Sequence, residues 1–338
     1  MATIKTLLAA LSGSTVLVTG ATGLIGKRLV YSLLEWNKLN PDASIRVIVH
    51  ARRETYARAL FGGIADQIQY LIGDIREISL SNLAVNYVVH AASSTDSSQF
   101  VNAPVETVRT ITEGTNRLLS ELTNQRELKR LLFLSTMEVY GTPTTDDPIL
   151  ETHGTNLNSM SIRASYPIAK WMSENLCACY SSEYGVDYSV LRLTQTFGPG
   201  VRYDDGRVFA EFARCALECK DIVLATKGET KRSYLYLDDA VSAILTVLLR
   251  GKAGEAYNAA NPETYCSIYE MGELVASEIM GGQICVRIKE THSPQYAPTL
   301  HMNLNTEKLE ALGWKPEVGL KEMYLRLIDD LKQIAPIE

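Results

Sequence analysis

Near the beginning of the chain stands Thr15-Val-Leu-Val-Thr19, followed without a break by Gly20-Ala-Thr-Gly23-Leu-Ile-Gly26. The first five residues are typical of a buried strand, and the apolar spacing over Leu24–Trp36 is typical of a helix. Gly20 permits a tight turn, Gly23 lets the backbone approach a pyrophosphate, and Gly26 allows close packing of the helix. The start of the helix offers unpaired N–H groups and a positive dipole to phosphate. The segment therefore predicts a dinucleotide-binding turn, with contacts from Gly20, Thr22, Gly23, Leu24, Ile25 and Gly26.

Strand-like and helix-like segments alternate through the first half of the chain. Strand patterns occur at Thr15–Thr19, Ile45–Val49, Ile68–Ile72, Tyr87–Ala91, Leu131–Leu134 and Tyr188–Leu193, and further helical patterns at Tyr56–Leu60, Pro104–Leu122 and Tyr166–Tyr184. Nearly continuous apolar strands that alternate with helices are typical of a parallel sheet covered on both faces. We therefore expect an α/β fold, a Rossmann-type doubly wound parallel sheet with a smaller mixed α/β C-terminal substrate domain.

The pattern loosens after about residue 197, where glycine, proline and aspartate cluster. Helices are predicted beyond this point at Val208–Leu217, Asp238–Leu249, Ile268–Ile279 and Leu320–Ile334. The dinucleotide-binding domain is expected to span 1–198 plus about 233–262. The remaining segments, 199–232 and 263–338, are expected to form the smaller substrate domain.

The end of the second predicted strand bears on the choice of dinucleotide. It reads Val47-Ile-Val-His50-Ala51-Arg52-Arg53-Glu54. An acid about 20 residues after the glycines usually holds the ribose of NAD, but no acid stands at this strand tip. Arg52 and Arg53 instead suit a 2′-phosphate, which favours NADP(H). NAD(H) stays open, because the two arginines could be solvated while Glu54 reaches the ribose.

Two later strand ends are expected to complete the cofactor site. Asp74 and Ile75 follow the third strand, where an adenine would lie. The turn Ala91-Ala92-Ser93 follows the fourth strand and can pass close to the cofactor.

A tyrosine and a lysine share one face of a predicted helix. Tyr166 and Lys170 are four residues apart, so both side chains can reach the same ligand. An ammonium near a phenol stabilises the phenolate, and we therefore expect Lys170 to lower the pKa of Tyr166 and make it a general acid/base. Upstream, Thr136 stands at the carboxyl end of the fifth strand, where ligands bind in open α/β sheets. Its hydroxyl can hydrogen-bond a substrate oxygen beside Tyr166.

Composition excludes several other classes of protein. The chain has 338 residues, is 46% hydrophobic and carries a net charge of −6, which argues against a nucleic-acid partner. Its longest apolar stretch, Ala240–Leu249, is far shorter than the about 20 residues of a membrane-spanning helix, so no membrane partner is expected. Residues 1–12 predict a short helix rather than an export signal, and the six cysteines are then expected to be reduced thiols in a cytoplasmic protein. The histidines are scattered, so no metal site is expected.

Five segments together resemble the extended short-chain dehydrogenase/reductases that act on nucleotide sugars, the NAD-dependent epimerase/dehydratase family. They are Thr19–Gly26, Ser135–Gly141, Tyr166-x3-Lys170, Arg192–Pro199 and Arg232–Asp239. The resemblance implies a catalytic triad of Thr136, Tyr166 and Lys170, with Arg232 on the diphosphate of the substrate and with Arg207, Gln195 and Thr136 as further substrate contacts. It also implies a homodimer in which the helices Pro104–Leu122 and Tyr166–Tyr184 form a four-helix contact.

The resemblance leaves the reaction to be chosen from 4-epimerases, 4,6-dehydratases, UDP-glucuronate decarboxylases and 4-keto-sugar reductases. The dehydratases have an aspartate where this chain has Met137, and methionine cannot protonate a leaving hydroxyl. The decarboxylase subgroup resembles Ser135–Gly141 closely, but its late arginine is absent from His301–Lys308. The family also often has asparagine where this chain has Ile111 and Gln195.

We therefore expect a nucleotide-diphosphate-sugar 4-ketoreductase, with a substrate such as dTDP-4-keto-6-deoxyhexose. Tyr166 would protonate the carbonyl oxygen while NADPH delivers hydride, and Lys170 would bind the nicotinamide ribose. Glu138 is either a second acid/base group or a contact to a sugar hydroxyl. The alternatives are an NAD-dependent 4-epimerase and a UDP-glucuronate decarboxylase. A non-enzymatic dinucleotide-binding module is opposed by the intact set of Thr136, Tyr166 and Lys170.

Overall fold

The computed structural model describes residues 4–93, 97–291 and 299–334. The helices are α1 Ile4–Ala9, α2 Leu24–Leu39, α3 Glu54–Phe61, α4 Ser97–Asn102, α5 Pro104–Leu122, α6 Ser165–Tyr184, α7 Val208–Leu217, α8 Leu237–Arg250, α9 Ile268–Glu273, α10 Glu307–Glu310 and α11 Leu320–Ile334. The strands are β1 Thr15–Thr19, β2 Arg46–Ala51, β3 Ile68–Ile72, β4 Tyr87–His90, β5 Arg130–Thr136, β6 Tyr188–Leu193, β7 Gln195–Phe197, β8 Ile222–Leu224, β9 Lys231–Tyr236, β10 Ala256–Ala259, β11 Asn261–Ser267, β12 Val286–Ile288 and β13 His301–Met302.

A seven-stranded sheet forms the larger part of the molecule. Its strand order is β3-β2-β1-β4-β5-β6-β10, and its neighbouring strands are parallel. This is the doubly wound order of a Rossmann fold with one strand added at the edge. The order reverses between β1 and β4, which opens a crevice for ligand beside the carboxyl ends of these two strands. The predicted fold class is confirmed.

The alternation of side chains along each strand places two hydrophobic cores on the two faces of this sheet. Val16 and Val18 of β1 point to the core that α2 and α8 cover, whereas Leu17 between them points to the core that α5 and α6 cover. Both faces are therefore buried, which explains why the strands read as continuous apolar runs rather than as alternating ones.

A smaller mixed region is formed by parts of the chain that follow β6. It contains a second sheet of β11, β9 and β13 with β7 on β9, and a two-stranded pair of β8 and β12. Aromatic side chains of α7, β9 and α11 meet there: Phe209, Phe212, Tyr234 and Tyr324. The sequence-based domain boundaries stay a prediction. The segment 233–262, assigned to the dinucleotide-binding domain, includes α8 and β10, which belong to the large sheet and its core. It also includes most of β9, a strand of the small sheet.

Some predicted elements have the observed bounds and others differ from them. β1, β3, β6, α5, α7 and α11 have the predicted bounds. β2 continues to Ala51, two residues further than predicted, so Arg52 and Arg53 directly follow its end. The helix predicted over Ile268–Ile279 ends as an α-helix at Glu273 and continues as a π-helical turn over Leu274–Ile279.

The predictions about membrane-spanning helices and disulfides can also be compared with the structure. No helix among the described residues is long and apolar enough to cross a membrane. The six cysteines, all of which lie in the described part of the chain, form no disulfide.

A buried ion pair fixes α6 against the large sheet. Arg192 of β6 donates to Glu174 of α6 with an N–O distance of 2.6 Å, and both side chains are at most 10% exposed. The Ser135 hydroxyl at the end of β5 also donates to Glu174. Arg192 in turn donates to the Tyr140 hydroxyl at 2.9 Å. Both buried charges are therefore matched by hydrogen-bonding partners, as burial requires.

We expect Arg192→Met to lower the free energy of unfolding by about 3–5 kcal/mol, because it leaves the Glu174 carboxylate buried without its partner. Denaturant unfolding measures the loss. Arg109→Met is the matched control, since Arg109 pairs with Glu113 on the surface of α5 and such pairs contribute about 0–1 kcal/mol. Equal losses in the two variants would show that the buried pair has no special weight. The double variant Arg192→Met/Glu174→Met should recover part of the stability.

Candidate active site

A cavity of about 610 Å³ opens at the carboxyl ends of the strands of the large sheet. This size lies within the usual range for small-molecule sites, about 300–1,000 Å³. Every residue predicted for the site lines this one cavity: Gly20, Thr22, Gly23, Leu24, Ile25, Gly26, Arg52, Arg53, Asp74, Ile75, Ala91, Ala92, Ser93, Thr136, Glu138, Tyr166, Lys170, Gln195, Arg207 and Arg232. The structure thus brings them together, while their individual roles stay predictions.

The glycine turn between β1 and α2 leaves no room for side chains. Gly20 has φ +66°, and a Cβ added there would lie 2.4 Å from the carbonyl oxygen of Ala91. A Cβ on Gly26 would lie 2.4 Å from the carbonyl oxygen of Gly20. The turn is therefore pressed against both its own helix and the turn after β4. This cradle fits the pyrophosphate of a dinucleotide, because backbone N–H groups at the start of α2 face the open side.

The tip of β2 carries two cations at the cavity wall. Arg52 and Arg53 are exposed, and neither forms an ion pair within the described part of the chain. Arg53 lies over the ring of Tyr56, 5.2 Å from its centroid. Glu54, the alternative ribose contact, accepts a hydrogen bond from Arg58 at 2.8 Å. The charge available to a ligand at this strand tip is therefore positive.

Asp74, at the end of the next strand, is held by a neighbouring arginine. Arg76 donates to both of its carboxylate oxygens, at 2.6 and 2.9 Å. These bonds lower the pKa of Asp74 to about 2. Asp74 is therefore an ionised acceptor at the cavity wall, beside the apolar Ile75.

Tyr166 lies in the first turn of α6 and is buried. Burial raises the pKa of its phenol above the usual value, and the nearby Glu138 carboxylate adds to the rise. A hydrogen bond with Thr136 and the charge of Arg163 act in the opposite direction. The expectation that the pKa of Tyr166 is lowered is wrong for the cofactor-free protein, because the effect of burial exceeds that of Thr136 and Arg163. The phenol is therefore protonated near neutrality.

Lys170 lies one turn further along α6 and is also buried. Its ammonium donates to the carbonyl oxygen of Leu134 at 2.8 Å and lies 6.0 Å from the centre of the Tyr166 ring. Burial lowers the pKa of Lys170 to about 8, with Glu174 one turn further on opposing the shift. The strand end of β5 thus holds the ammonium in the cavity wall near the phenol.

Thr136 and Glu138 form a polar wall next to the phenol. The Thr136 hydroxyl accepts the N–H of Glu138 at 3.2 Å, which starts a short 3-10 turn at Met137. The Glu138 carboxylate pairs with Arg163 at 3.0 Å, and both side chains are partly exposed. Glu138 is therefore a charged group that reaches both the cavity and solvent.

An apolar wall faces Tyr166 from the other side. The ring of Phe100, in α4, stacks on the Tyr166 ring with centroids 4.3 Å apart and an angle of 6°. Ile111 and Ala169 complete this buried cluster. The sequence analysis did not find Phe100, because α4 has only six residues and shows no helical period. A short helix after β4 that carries an aromatic residue is the only local signal.

Two arginines and a glutamine line the end of the cavity that borders the smaller region. The Nε of Arg232 is buried and has no hydrogen-bonding partner among the described residues. Arg207 is held by Asp205 at 2.6 Å, and Gln195 lies at the start of β7. Arg232 is therefore the cation at this end with unused hydrogen-bonding capacity.

A comparison with known protein families identifies the family of this chain. A sequence model of the NAD dependent epimerase/dehydratase family matches residues 16–260. The chain belongs to the NAD-dependent epimerase/dehydratase family. It is accordingly an NAD(P)-dependent enzyme of the extended short-chain dehydrogenase/reductase type, as the five motifs indicate.

Two curated relatives are UDP-glucuronic acid decarboxylases. The chain is 28% identical to decarboxylase 1 of Xenopus tropicalis, covering 91% of this chain and 69% of the relative. It is 29% identical to decarboxylase 5 of Arabidopsis thaliana, covering 92% and 87%.

Solved structures share the fold of this epimerase/dehydratase-family enzyme. The UDP-glucose 4-epimerase of Thermotoga maritima with UDP-glucose has a TM-score of 0.80 at 24% identity, covering 95% of this chain and 100% of that one. The UDP-glucuronic acid 4-epimerase of Bacillus cereus, in complex with UDP-glucuronic acid and NAD, has a TM-score of 0.77 at 23% identity, covering 95% and 99%.

The lowered pKa of the buried Lys170 predicts that the free energy of unfolding depends on pH. Its pKa is about 8 in the folded protein and about 10.4 in an unfolded chain. Between these values the unfolded chain binds more protons, so stability rises with pH. Lys170→Met removes this contribution. We therefore expect the cofactor-free wild type to gain stability relative to Lys170→Met from pH 8 to pH 10, with a constant difference below pH 8. Denaturant unfolding of both proteins across this range measures the effect, and parallel curves would contradict it.

Proposed function

We propose that this enzyme is a nucleotide-diphosphate-sugar 4-ketoreductase that prefers NADPH. The two arginines at the tip of β2 carry the proposal, because Arg52 and Arg53 are exposed at the cavity wall and suit the 2′-phosphate of NADPH, a cofactor that a reductase consumes. Tyr166 is buried in the same cavity beside Thr136 and can serve as the acid of the reduction.

The cavity residues have distinct tasks in this reaction. Tyr166 donates its proton to the carbonyl oxygen of the sugar as the carbon is reduced, and Thr136 hydrogen-bonds the same oxygen. Lys170 places a positive charge near the phenolate that remains and stabilises it. The bound nicotinamide supplies the hydride. Phe100 and Ile111 exclude water from the phenol, which strengthens these electrostatic effects.

The substrate end of the cavity supports a nucleotide diphosphate. The unpartnered Nε of Arg232 suits a phosphate oxygen, and Arg207 and Gln195 lie at the same end of the cavity. The Thermotoga and Bacillus structures, which share the fold, hold UDP-glucose and UDP-glucuronic acid. We infer that Arg232 binds the diphosphate and that the sugar reaches back toward Tyr166.

A UDP-glucuronate decarboxylase is the second candidate. The curated relatives favour it, and Glu138 paired with Arg163 offers an acid/base group beside the sugar site. Against it, the segment His301–Lys308 contains no arginine for the glucuronate carboxylate. The His301 imidazole lies 3.2 Å from Asp146, and neither residue lines the cavity.

The products distinguish the reactions. With dTDP-4-keto-6-deoxyglucose and NADPH, we expect loss of the reduced-nicotinamide absorbance and a sugar product two hydrogens heavier. Carbon dioxide from UDP-glucuronate without net use of dinucleotide would establish the decarboxylase instead. A change of configuration at constant mass would establish an epimerase.

Tyr166→Phe should lower kcat at least ~100-fold, because it removes the proposed acid. Tyr265→Phe is the control, since Tyr265 lies outside the cavity and its hydroxyl bonds Asp146. It should leave kcat unchanged.

The arginine pair predicts the cofactor preference. The double variant Arg52→Ala/Arg53→Ala should weaken NADPH binding by roughly tenfold or more, since hydrogen bonds to charged groups contribute about 1.5–3 kcal/mol each. NADH binding should change little, because NADH lacks the 2′-phosphate. Arg58→Ala, one turn further along α3, is the control. Tighter binding of NADH than NADPH by the wild type would overturn the preference and make NAD the cofactor.

We also propose that the enzyme forms a homodimer through α5 and α6. Apolar side chains are exposed on both helices, among them Val105, Val108, Trp171 and Met172. Exposed apolar patches on neighbouring helices are typical of protein interfaces. Sedimentation equilibrium of the purified protein tests this, and a monomer at micromolar concentration would contradict it.

A cytoplasmic location is the final part of the proposal. The six unpaired cysteines, three of them exposed, suit a reducing compartment. Alkylation of thiols in freshly lysed cells tests this location, and oxidised cysteines in the isolated protein would argue against it.

A further inference from the structure

A buried histidine that the proposed mechanism does not use lies between the cofactor turn and the helix next to the active site. His90 ends β4 and is 2% exposed. Its Nδ1 lies 2.7 Å from the Thr19 hydroxyl at the end of β1. Its Nε2 lies 3.0 Å from the Thr115 hydroxyl of α5. Both threonines are fully buried.

The bonds at Thr19 determine which nitrogen of His90 carries the proton. The Thr19 hydroxyl accepts the N–H groups of Ala91 and Ala92, at 3.1 and 3.3 Å. These two bonds occupy both lone pairs of the oxygen, so its single hydrogen points at Nδ1 of His90. Nδ1 is therefore the acceptor, and the neutral ring carries its proton on Nε2.

The bonds at Thr115 agree with this tautomer. Nε2–H of His90 donates to the Thr115 hydroxyl, which donates in turn to the carbonyl oxygen of Ile111 at 2.6 Å. The same carbonyl oxygen accepts a longer bond of 3.4 Å from Ser173 of α6. One directed chain of hydrogen bonds thus runs from the turn after β4 through the ring of His90 to α5, and α6 bonds its last member.

Each end of this chain forms part of the cavity wall. Ala91 and Ala92 line the cavity, and the carbonyl oxygen of Ala91 is the atom on which Gly20 packs. At the other end, Ile111 lines the cavity beside Tyr166. His90 and Thr115 lie behind this wall. They can therefore influence a ligand only by setting the positions of residues that touch it.

Burial keeps the ring in one state. It lowers the pKa of His90 to about 3, with Lys170 and His50 adding to the shift. The ring is therefore neutral at any pH at which the enzyme works, and the direction of the chain is fixed.

We propose that His90 is a positioning residue for the dinucleotide: in its Nε2–H form it sets the distance between the turns that hold the cofactor and the helices that carry Ile111 and Tyr166. The inference rests on dinucleotide binding in the proposed function, and it is independent of which sugar is reduced. It assigns a task to Thr19 and Thr115 as the two anchors of the ring.

Thr115→Val tests the chain at the end remote from the cofactor. Valine preserves the shape of threonine but removes both the acceptor for His90 and the donor to Ile111. We expect the dissociation constant of the preferred reduced dinucleotide to rise roughly tenfold, as for the loss of one buried hydrogen bond. Thr115→Ser restores the hydroxyl and should restore most of the affinity.

The matched control lies on the same helix. Thr112 also donates to the backbone one turn back, to Val108 at 2.8 Å, but it is only half-buried and has no part in the chain. Thr112→Val should leave the dissociation constant unchanged. Circular dichroism and thermal melting of each variant show that the fold is kept, and dinucleotide binding is followed by fluorescence in the absence of sugar.

Nitrogen-15 NMR of the cofactor-free protein, labelled at histidine, tests the tautomer directly. We expect His90 to show a protonated Nε2 and an unprotonated Nδ1, and the opposite tautomer would overturn the proposal. Dinucleotide affinity in folded Thr115→Val equal to that in Thr112→Val would overturn it as well, leaving the chain only a role in stability. A wild type that binds neither NADH nor NADPH would overturn the proposed cofactor together with this inference. A wild type that binds dinucleotide but reduces no keto sugar would overturn only the ketoreductase, and Thr115→Val would still decide the role of His90.

Discussion

The close approach of two backbone turns, at Gly20 and at Ala91, is the constraint on which the rest of the site depends. Gly20 has no Cβ and a positive φ, so the turn after β1 can lie directly on the carbonyl oxygen of Ala91. Gly26 allows α2 to start just as close to that turn. The cavity is the space that these contacts leave open above β1 and β4, and the other lining residues come to it because their strands end at the same edge of the sheet.

Around this cradle, burial of polar groups determines the chemistry. Tyr166 stays protonated because its phenol is removed from water, and Lys170 has a lowered pKa for the same reason. The buried pair of Glu174 and Arg192 holds α6 at the end of β5, so the two reactive side chains keep their place relative to Thr136. A polar wall of Thr136 and Glu138 and an apolar wall of Phe100 then meet at the phenol. The proposed reduction uses Tyr166 as its acid at the place where these two walls meet.

The sequence predicts the parts of the molecule in which local pattern and global fold agree. The glycine turn, the parallel strands and the spacing of Tyr166 and Lys170 are local signals, and the sheet order follows from the alternation of strands and helices. β13 illustrates what is missed, because this two-residue strand forms only by pairing with β9 about 70 residues away. Phe100 is found only when α4 packs on α6. The predicted direction of the pKa shift at Tyr166 is wrong, because the sequence shows the nearby lysine but does not show how deeply the phenol is buried.

The charged residues at the tip of β2 are exposed, whereas the residues proposed to act on the substrate are buried. Arg52 and Arg53 stand at the rim, whereas Tyr166, Lys170 and Glu174 are enclosed between α6 and the sheet. Substitutions at the rim change a solvated loop and leave the packed interior as it is. If Arg52 and Arg53 select the dinucleotide as proposed, a change of hydride donor requires substitutions only at this exposed rim and leaves the buried residues of the site in place.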